Sequence, residues 1–214
     1  MKMNFQIKQI AEKDAIVYRN VLGAFAIKGL SFFLSLFTMP AYMRFFQDQR
    51  VLGVWYTVLS VVTWVLNFDL GIGNGLRNRL SEALARKNTA EAKAYISSAY
   101  WIIGKVVLVL TALGLLVIPQ CNWNRLFNVP PELISADTLT WVVQCTFLAI
   151  ALQFFLRLIS SVLYAMQKSA INHVISLCTT LLMLVLLWLM PQYGPEKSLK
   201  LFSLSYLFFS NAPL

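Results

Sequence analysis

Three basic residues stand inside stretches that are otherwise apolar: Lys28, Lys105 and Arg157. A cation in apolar surroundings is costly, so such residues usually face a bundle interior or a wet cavity. No Asp or Glu lies at similar depth in the same three stretches. An anionic ligand is then a natural counter-charge, and the chemistry these residues suggest is anion binding. Each belongs to a polar face. At about 100° per residue, Asn20, Lys28, Ser31, Ser35, Thr38 and Tyr42 fall within about 80° of one another on a helix. Thr57, Ser60, Trp64 and Asn67 share one face further on, as do Gln153, Arg157, Ser160 and Tyr164, while Ser98, Trp101 and Lys105 align more loosely. Several helices with one polar face each imply a shared polar interior. Two other readings stand beside this one: stripes of Ser and Thr also serve helix packing, and Lys105 and Arg157 could snorkel to an interface.

Asp69 is the one acid within the apolar runs. It is either a topology anchor, paired with Arg77 or Arg79, or an ion-coupling residue. Other chemistries find no support. Gly71-Ile72-Gly73-Asn74-Gly75 is not a dinucleotide fingerprint, because the last glycine comes one position early and no βαβ unit surrounds it. These glycines better suit a helix end and a turn. His173 has no second His or Cys at ligand spacing, so no metal site is expected. Cys121, Cys145 and Cys178 match neither a disulfide framework nor a metal spacing. No nucleophile set can be assembled, and no cofactor is implied. We therefore expect no enzyme.

The elements that must carry these residues are long apolar runs. The chain is 58% hydrophobic and 13% charged, with mean hydropathy +0.66. A soluble domain carries about 25% charged residues, so lipid must cover much of this surface. A bilayer core about 30 Å thick needs roughly 20 apolar helical residues. Six runs qualify, at about 18–42, 51–70, 95–118, 139–164, 173–190 and 198–214, the last still apolar where the sequence stops. Backbone in lipid must satisfy its own hydrogen bonds, so the expected fold is an all-α integral membrane protein, a six-helix transmembrane bundle in a single domain over 1–214. Pro40 should kink the first run. Trp55, Tyr95, Trp101, Trp123, Trp141, Tyr164, Trp188 and Tyr193 lie near run ends, where aromatic rings favour the headgroup zone. The first residues are polar and mixed in charge, and no cleavable signal peptide is visible.

Lys and Arg set the topology. With the N-terminus inside, the inner segments hold Lys2, Lys8, Lys13, Arg19, Arg77, Arg79, Arg86, Lys87, Lys93 and Lys168, and the outer ones Arg44, Arg50, Arg125, Lys197 and Lys200. That imbalance favours a cytoplasmic N-terminus. The net charge of +9 is spread between the apolar runs, which suits anionic lipid headgroups and not nucleic acid. From Arg19, Lys28 should lie roughly 13 Å into the first run, close to the midplane. The inner loop 76–94 repeats Leu76, Leu80 and Leu84, the pattern of an amphipathic helix at the membrane surface. Asn88, followed three residues later by Glu91, should cap the next helix.

The segment Leu52-Gly53-Val54-Trp55-Tyr56, then Asn67-Phe68-Asp69-Leu70-Gly71-Ile72-Gly73-Asn74-Gly75-Leu76-Arg77-Asn78, resembles the polysaccharide transporter family of the multidrug/oligosaccharidyl-lipid/polysaccharide (MOP) exporter superfamily. Glu91-Ala92 and Ser97-Ser98-Ala99-Tyr100 continue the likeness. The resemblance implies one lobe of a two-lobed flippase that moves lipid-diphosphate-linked oligosaccharide repeat units across a bacterial cytoplasmic membrane by alternating access, for surface polysaccharide synthesis. It implies a lipid-linked oligosaccharide as substrate and a second lobe or a homo-oligomeric partner, since such transporters have two six-helix lobes. The chain is accordingly expected to be part of a longer protein or half of an assembly. Lys28, Lys105 and Arg157 become expected headgroup contacts on physical grounds, with Asn20, Ser31, Ser35, Thr57, Ser60, Asn67 and Gln153 lining the cavity. Two alternatives are a drug/cation antiporter on the same scaffold, which would need acidic cavity residues, and a membrane-embedded glycan polymerase or ligase. The segment 119–137, with no His and only Glu132 and Asp137, offers little for the latter. A non-transporting scaffold subunit is a further class.

Overall fold

The structure, a computed structural model, describes residues 22–23, 25–66 and 71–214. Asn20, Asn67 and Asp69 lie outside the described residues. The fold is all-α, and no strand occurs among the described residues. The helices are α1 (Phe25–Phe46), α2 (Gln49–Leu66), α3 (Ile72–Ala85), α4 (Thr89–Val117), α5 (Trp123–Phe127), α6 (Ala136–Leu156), α7 (Leu158–Ala165), α8 (Ser169–Leu189) and α9 (Pro195–Phe209).

Among the described residues four stretches are long and apolar enough to cross a membrane: α1, α4 with its 3-10 extension to Gln120, the run α6–α7 to Ala165, and α8. In all but the α6–α7 run, less than a fifth of the apolar window is buried by protein. Leu108, Leu116 and Leu189 all stand open. Apolar faces of this extent suit a non-aqueous neighbour, and the fold is consistent with a membrane protein. The second and sixth expected runs correspond to α2, with 18 residues, and α9, with 15. At 1.5 Å per residue α9 is about 22 Å long, less than the roughly 30 Å hydrocarbon core.

Sequence chemistry sets the helix ends. Asn88 caps α4 as its spacing from Glu91 predicts: its Oδ1 accepts from the Glu91 N–H at 3.1 Å, while the Glu91 carboxylate takes the Asn88 side-chain amide at 3.0 Å and the Asn88 N–H donates to the Ala83 carbonyl. Gln47 closes α1 in the left-handed region at φ 58°, and Asp48 accepts from the Arg50 N–H at the start of α2. Pro40 cannot donate back to the preceding turn, and α1 is interrupted at Phe37, just before it. The α6–α7 run breaks at Arg157, where the Ser160 N–H bonds the Arg157 carbonyl in place of the residue one position earlier.

The loops gather at two ends. At one, Gln192 Nε2 donates to the Arg44 carbonyl at 3.1 Å, the Arg44 guanidinium lies 4.0 Å from the centre of the Trp188 ring, and Glu196 accepts from the Ser135 N–H. At the other, α3 packs on α4 and α7.

Among the described residues the buried apolar side chains form two clusters, and Val107 on α4 touches both. The larger centres on Trp55, fully buried, which meets Phe202 edge-on at 4.9 Å and Tyr206 at 5.2 Å. Trp55 is therefore a core ring and not the headgroup-zone ring expected, because its neighbours Val51, Val54 and Val58 turn the same face of α2 into the bundle. Tyr42, read as part of a polar stripe, is also core, packed against Phe202 and Tyr56. The smaller cluster corrects the reading of α3. Leu76, Leu80 and Ala83 are buried against Ala92, Ala99, Leu158 and Val162, so the apolar face docks on α4 and α7 and only Leu84 stays open.

Candidate functional site

The three spanning-region cations occupy three different places. All three are exposed in the isolated chain, and no ion pair to any of them occurs among the described residues. Measured from Phe46, where α1 ends, Lys28 lies about 27 Å along the helix at 1.5 Å per residue. Because α1 continues beyond Tyr42 to Phe46, Lys28 stands toward the opposite end of the described helix.

Lys105 is the deepest of the three, about 18 Å from the end of α4 at Val117. Its ammonium sits 3.2 Å from the centre of the Trp101 ring, one turn nearer the α3 end. Trp101 is itself 64% exposed. Beyond Lys105 the same face of α4 carries Leu108, Ala112 and Leu115 and turns apolar. The polar stretch therefore reaches from the α3 end to mid-span and stops there. Gly104, beside Lys105, packs on the Phe155 ring, so α4 and α6 approach closely at this level.

Arg157 is grouped with neither lysine. It shares a cleft of about 370 Å³ with Arg77, Asn74, Ser160, Ser161 and Tyr164. Ile103 and Phe154 form its apolar end. The Arg77 guanidinium lies 5.2 Å from the centre of the Tyr164 ring, a cation–π contact across α3 and α7. No carboxylate lines this cleft among the described residues. Arg77 enters the sequence reading only through topology and a pairing with Asp69; at about 100° per residue it lies about 60° from Leu80 and about 100° from Leu76, at the edge of the buried face of α3, so periodicity alone gives no signal of its place in this cleft.

The polar lining residues are largely satisfied within their own helices. Ser31 donates to the Ile27 carbonyl at 2.9 Å, Ser35 to Phe32 at 2.6 Å, and Thr57 to Gly53 at 2.9 Å. Such back-bonding lets a hydroxyl sit in apolar surroundings without a partner helix. Thr57 and Ser60 face away from the core side of α2, as the periodicity predicts, and Gln153 is half-buried. Thr57 lines a small cleft with Arg50, Asn128 and Pro130 at the end of the bundle opposite α3. No group of three or more His, Cys, Asp or Glu that could hold a metal occurs among the described residues. The described cysteines are free.

No protein-family model, curated protein or solved structure matches this chain. The functional reading therefore rests on the sequence and the geometry.

Proposed function

We propose that this chain is one lobe of a flippase for lipid-diphosphate-linked oligosaccharides. The observation that carries the reading is the distribution of charge. Lys28, Lys105 and Arg157 lie on helix faces that the lobe leaves open, and all lie between the middle of the bundle and the α3 end. The helical residues at comparable depth in α1, α4 and α6–α7 include no Asp or Glu. An anionic headgroup entering from the α3 end would meet cations up to Lys105 and find an apolar face beyond it, while its lipid tail stays in the bilayer.

In this reading α2 and α9 complete a six-helix lobe, and a second lobe or a second copy closes the cavity. The end bearing α3 faces the cytoplasm, with the N-terminus on that side, in a bacterial inner membrane. Transport makes and breaks no covalent bond. Rocking of the two lobes exposes the headgroup to either side, and because binding alone cannot drive net flux, an ion gradient or removal of the glycan outside gives direction. The resemblance of residues 52–100 to polysaccharide transporters supports the substrate class. The absence of acids at mid-depth disfavours a drug/cation antiporter, which needs carboxylates to receive its cargo.

Retention of substrate in lipid nanodiscs tests the proposal. A polyprenyl-diphosphate-linked oligosaccharide should stay bound through native mass spectrometry, while a lipophilic quaternary ammonium should not. Preference for the ammonium would overturn the reading in favour of cation transport.

A further inference from the structure

We propose that the cleft between α3 and the α6–α7 run is a binding site for the phosphate of an anionic membrane phospholipid. Two guanidiniums, Arg77 and Arg157, line one cleft, and no carboxylate among the described residues lines it with them. Two like charges brought to one cleft repel each other, and a shared anion converts that repulsion into attraction. Each guanidinium presents a planar fork that matches phosphate oxygens bidentately. Ser160, Ser161 and Tyr164 add hydroxyl donors, and Asn74 an amide.

The shape of the cleft points to a lipid. Along the α6–α7 run, Tyr164 and Ser161 lie at the α3 end, Arg157 further in, and Phe154 about 15 Å from Tyr164. The cationic part of the cleft is thus at headgroup level, and its apolar end, Phe154 with Ile103, continues toward the bilayer centre. A phosphate held by the arginines would leave an acyl chain lying along that apolar end. With no carboxylate among the described lining residues, a choline or ethanolamine ammonium finds no counter-charge in them, so an anionic lipid is favoured over a zwitterionic one.

α3 is held over the cleft by close packing. Gly73 in its first turn lies against Ser161, where a β-carbon would stand 2.9 Å from the hydroxyl. A side chain at position 73 would therefore intrude between α3 and α7. The Arg77–Tyr164 contact separates this cleft from a second groove along α3 that holds Ser81 and Gln167.

The test is lipid retention by the purified chain in nanodiscs of mixed phosphatidylglycerol and phosphatidylcholine, read by native mass spectrometry. Wild type should retain phosphatidylglycerol preferentially. R77Q/R157Q should lose that preference about tenfold or more, as expected when charge-assisted hydrogen bonds to phosphate are removed. R77K/R157K, which keeps the charge but not the fork, should fall between, and Lys28→Gln should match wild type. Gly73→Leu offers a charge-neutral check, because filling the cleft should reduce retention while helical content stays unchanged. Equal retention of the two lipids by wild type, or an unchanged preference in R77Q/R157Q, would overturn the proposal. So would saturable protection by inorganic phosphate with no lipid preference, which would make the cleft a site for a soluble anion. Arg157 is common to this site and to the transport reading, but no saccharide and neither lysine enters this experiment: absence of the phosphatidylglycerol preference in wild type overturns this site alone, and failure of the chain to retain a lipid-linked oligosaccharide overturns the transport reading alone.

Discussion

The ammonium of Lys105 rests 3.2 Å from the centre of the exposed Trp101 ring, one turn away on the same face of α4. The ring gives the cation a partial counter-charge at a depth where water is scarce. A contact of this kind contributes about 0.5–2 kcal/mol. It leaves the other side of the ammonium open, so a ligand anion can approach without displacing a competing carboxylate. Replacing Trp101 with Leu should release Lys105 toward the α3 end and weaken retention of a lipid-linked diphosphate oligosaccharide several-fold, with little loss of thermal stability because Trp101 buries little surface. A large drop in melting temperature would instead make Trp101 a packing residue.

Close packing of α4 on α6 gives a sharper stability prediction. A β-carbon at Gly114 would collide with the Phe147 ring, whereas at Gly53 on α2 it would meet nothing within 4 Å. Gly114→Ala should destabilise by about 1–3 kcal/mol through overpacking. Gly53→Ala should be neutral or stabilising by up to about 1 kcal/mol, since Ala favours helix. Thermal unfolding in detergent separates the two, and adding Phe147→Leu should rescue Gly114→Ala but not act on Gly53→Ala.

Glu196 ties the start of α9 to the start of α6. Its Oε1 accepts from the Ser135 N–H at 2.6 Å and its Oε2 from the Thr138 hydroxyl at 3.2 Å. The Ser135 N–H, helped by the two hydroxyls, holds this carboxyl below the usual carboxylate range. A depressed folded pKa contributes stability that is fully present above the unfolded value, near 4.3, and is lost as pH falls through the folded value. Melting temperature should therefore drop on acidification through that window in wild type, and Glu196→Gln should flatten the drop. Parallel pH profiles for the two proteins would remove Glu196 from the account.

The Asn88 cap is local and separable. Asn88→Ala should cost about 0.5–2 kcal/mol, and Asn88→Asp much less, because aspartate can still accept from the Glu91 N–H. Hydrogen exchange should rise in the first turn of α4 and not at its centre. Uniform exchange along α4 would mean that the cap holds no more than its neighbours do.

The sequence made the helices legible where periodicity and composition agreed. The apolar runs of α1, α4, α6–α7 and α8 were visible because lipid-facing helices need no polar side, and the Asn88–Glu91 pair marked a helix start three residues apart. The errors came where tertiary packing decides. Leu76 and Leu80 looked like a membrane-facing stripe because an apolar face is the same whether lipid or protein covers it. Trp55 lay near a run end, as an interfacial ring does, but its β-branched neighbours Val51, Val54 and Val58 fixed the face that turns inward. For the site, the individual cations were legible, yet their grouping was not. Arg77 on α3 and Arg157 at the break between α6 and α7 are eighty residues apart in sequence, and only the docking of α3 on α7 places them around one cleft.

Lys105 is where the transport account is most exposed to test. The direct measurement is the amount of surface glycan exported by cells expressing Lys105→Gln, with the protein present at wild-type level in the membrane. The account predicts a fall of about tenfold, equivalent to ~1.4 kcal/mol of lost interaction with the anionic headgroup. Unchanged export at equal protein level would contradict it, and would leave Lys105 a cation held by Trp101 with no part in moving an anion.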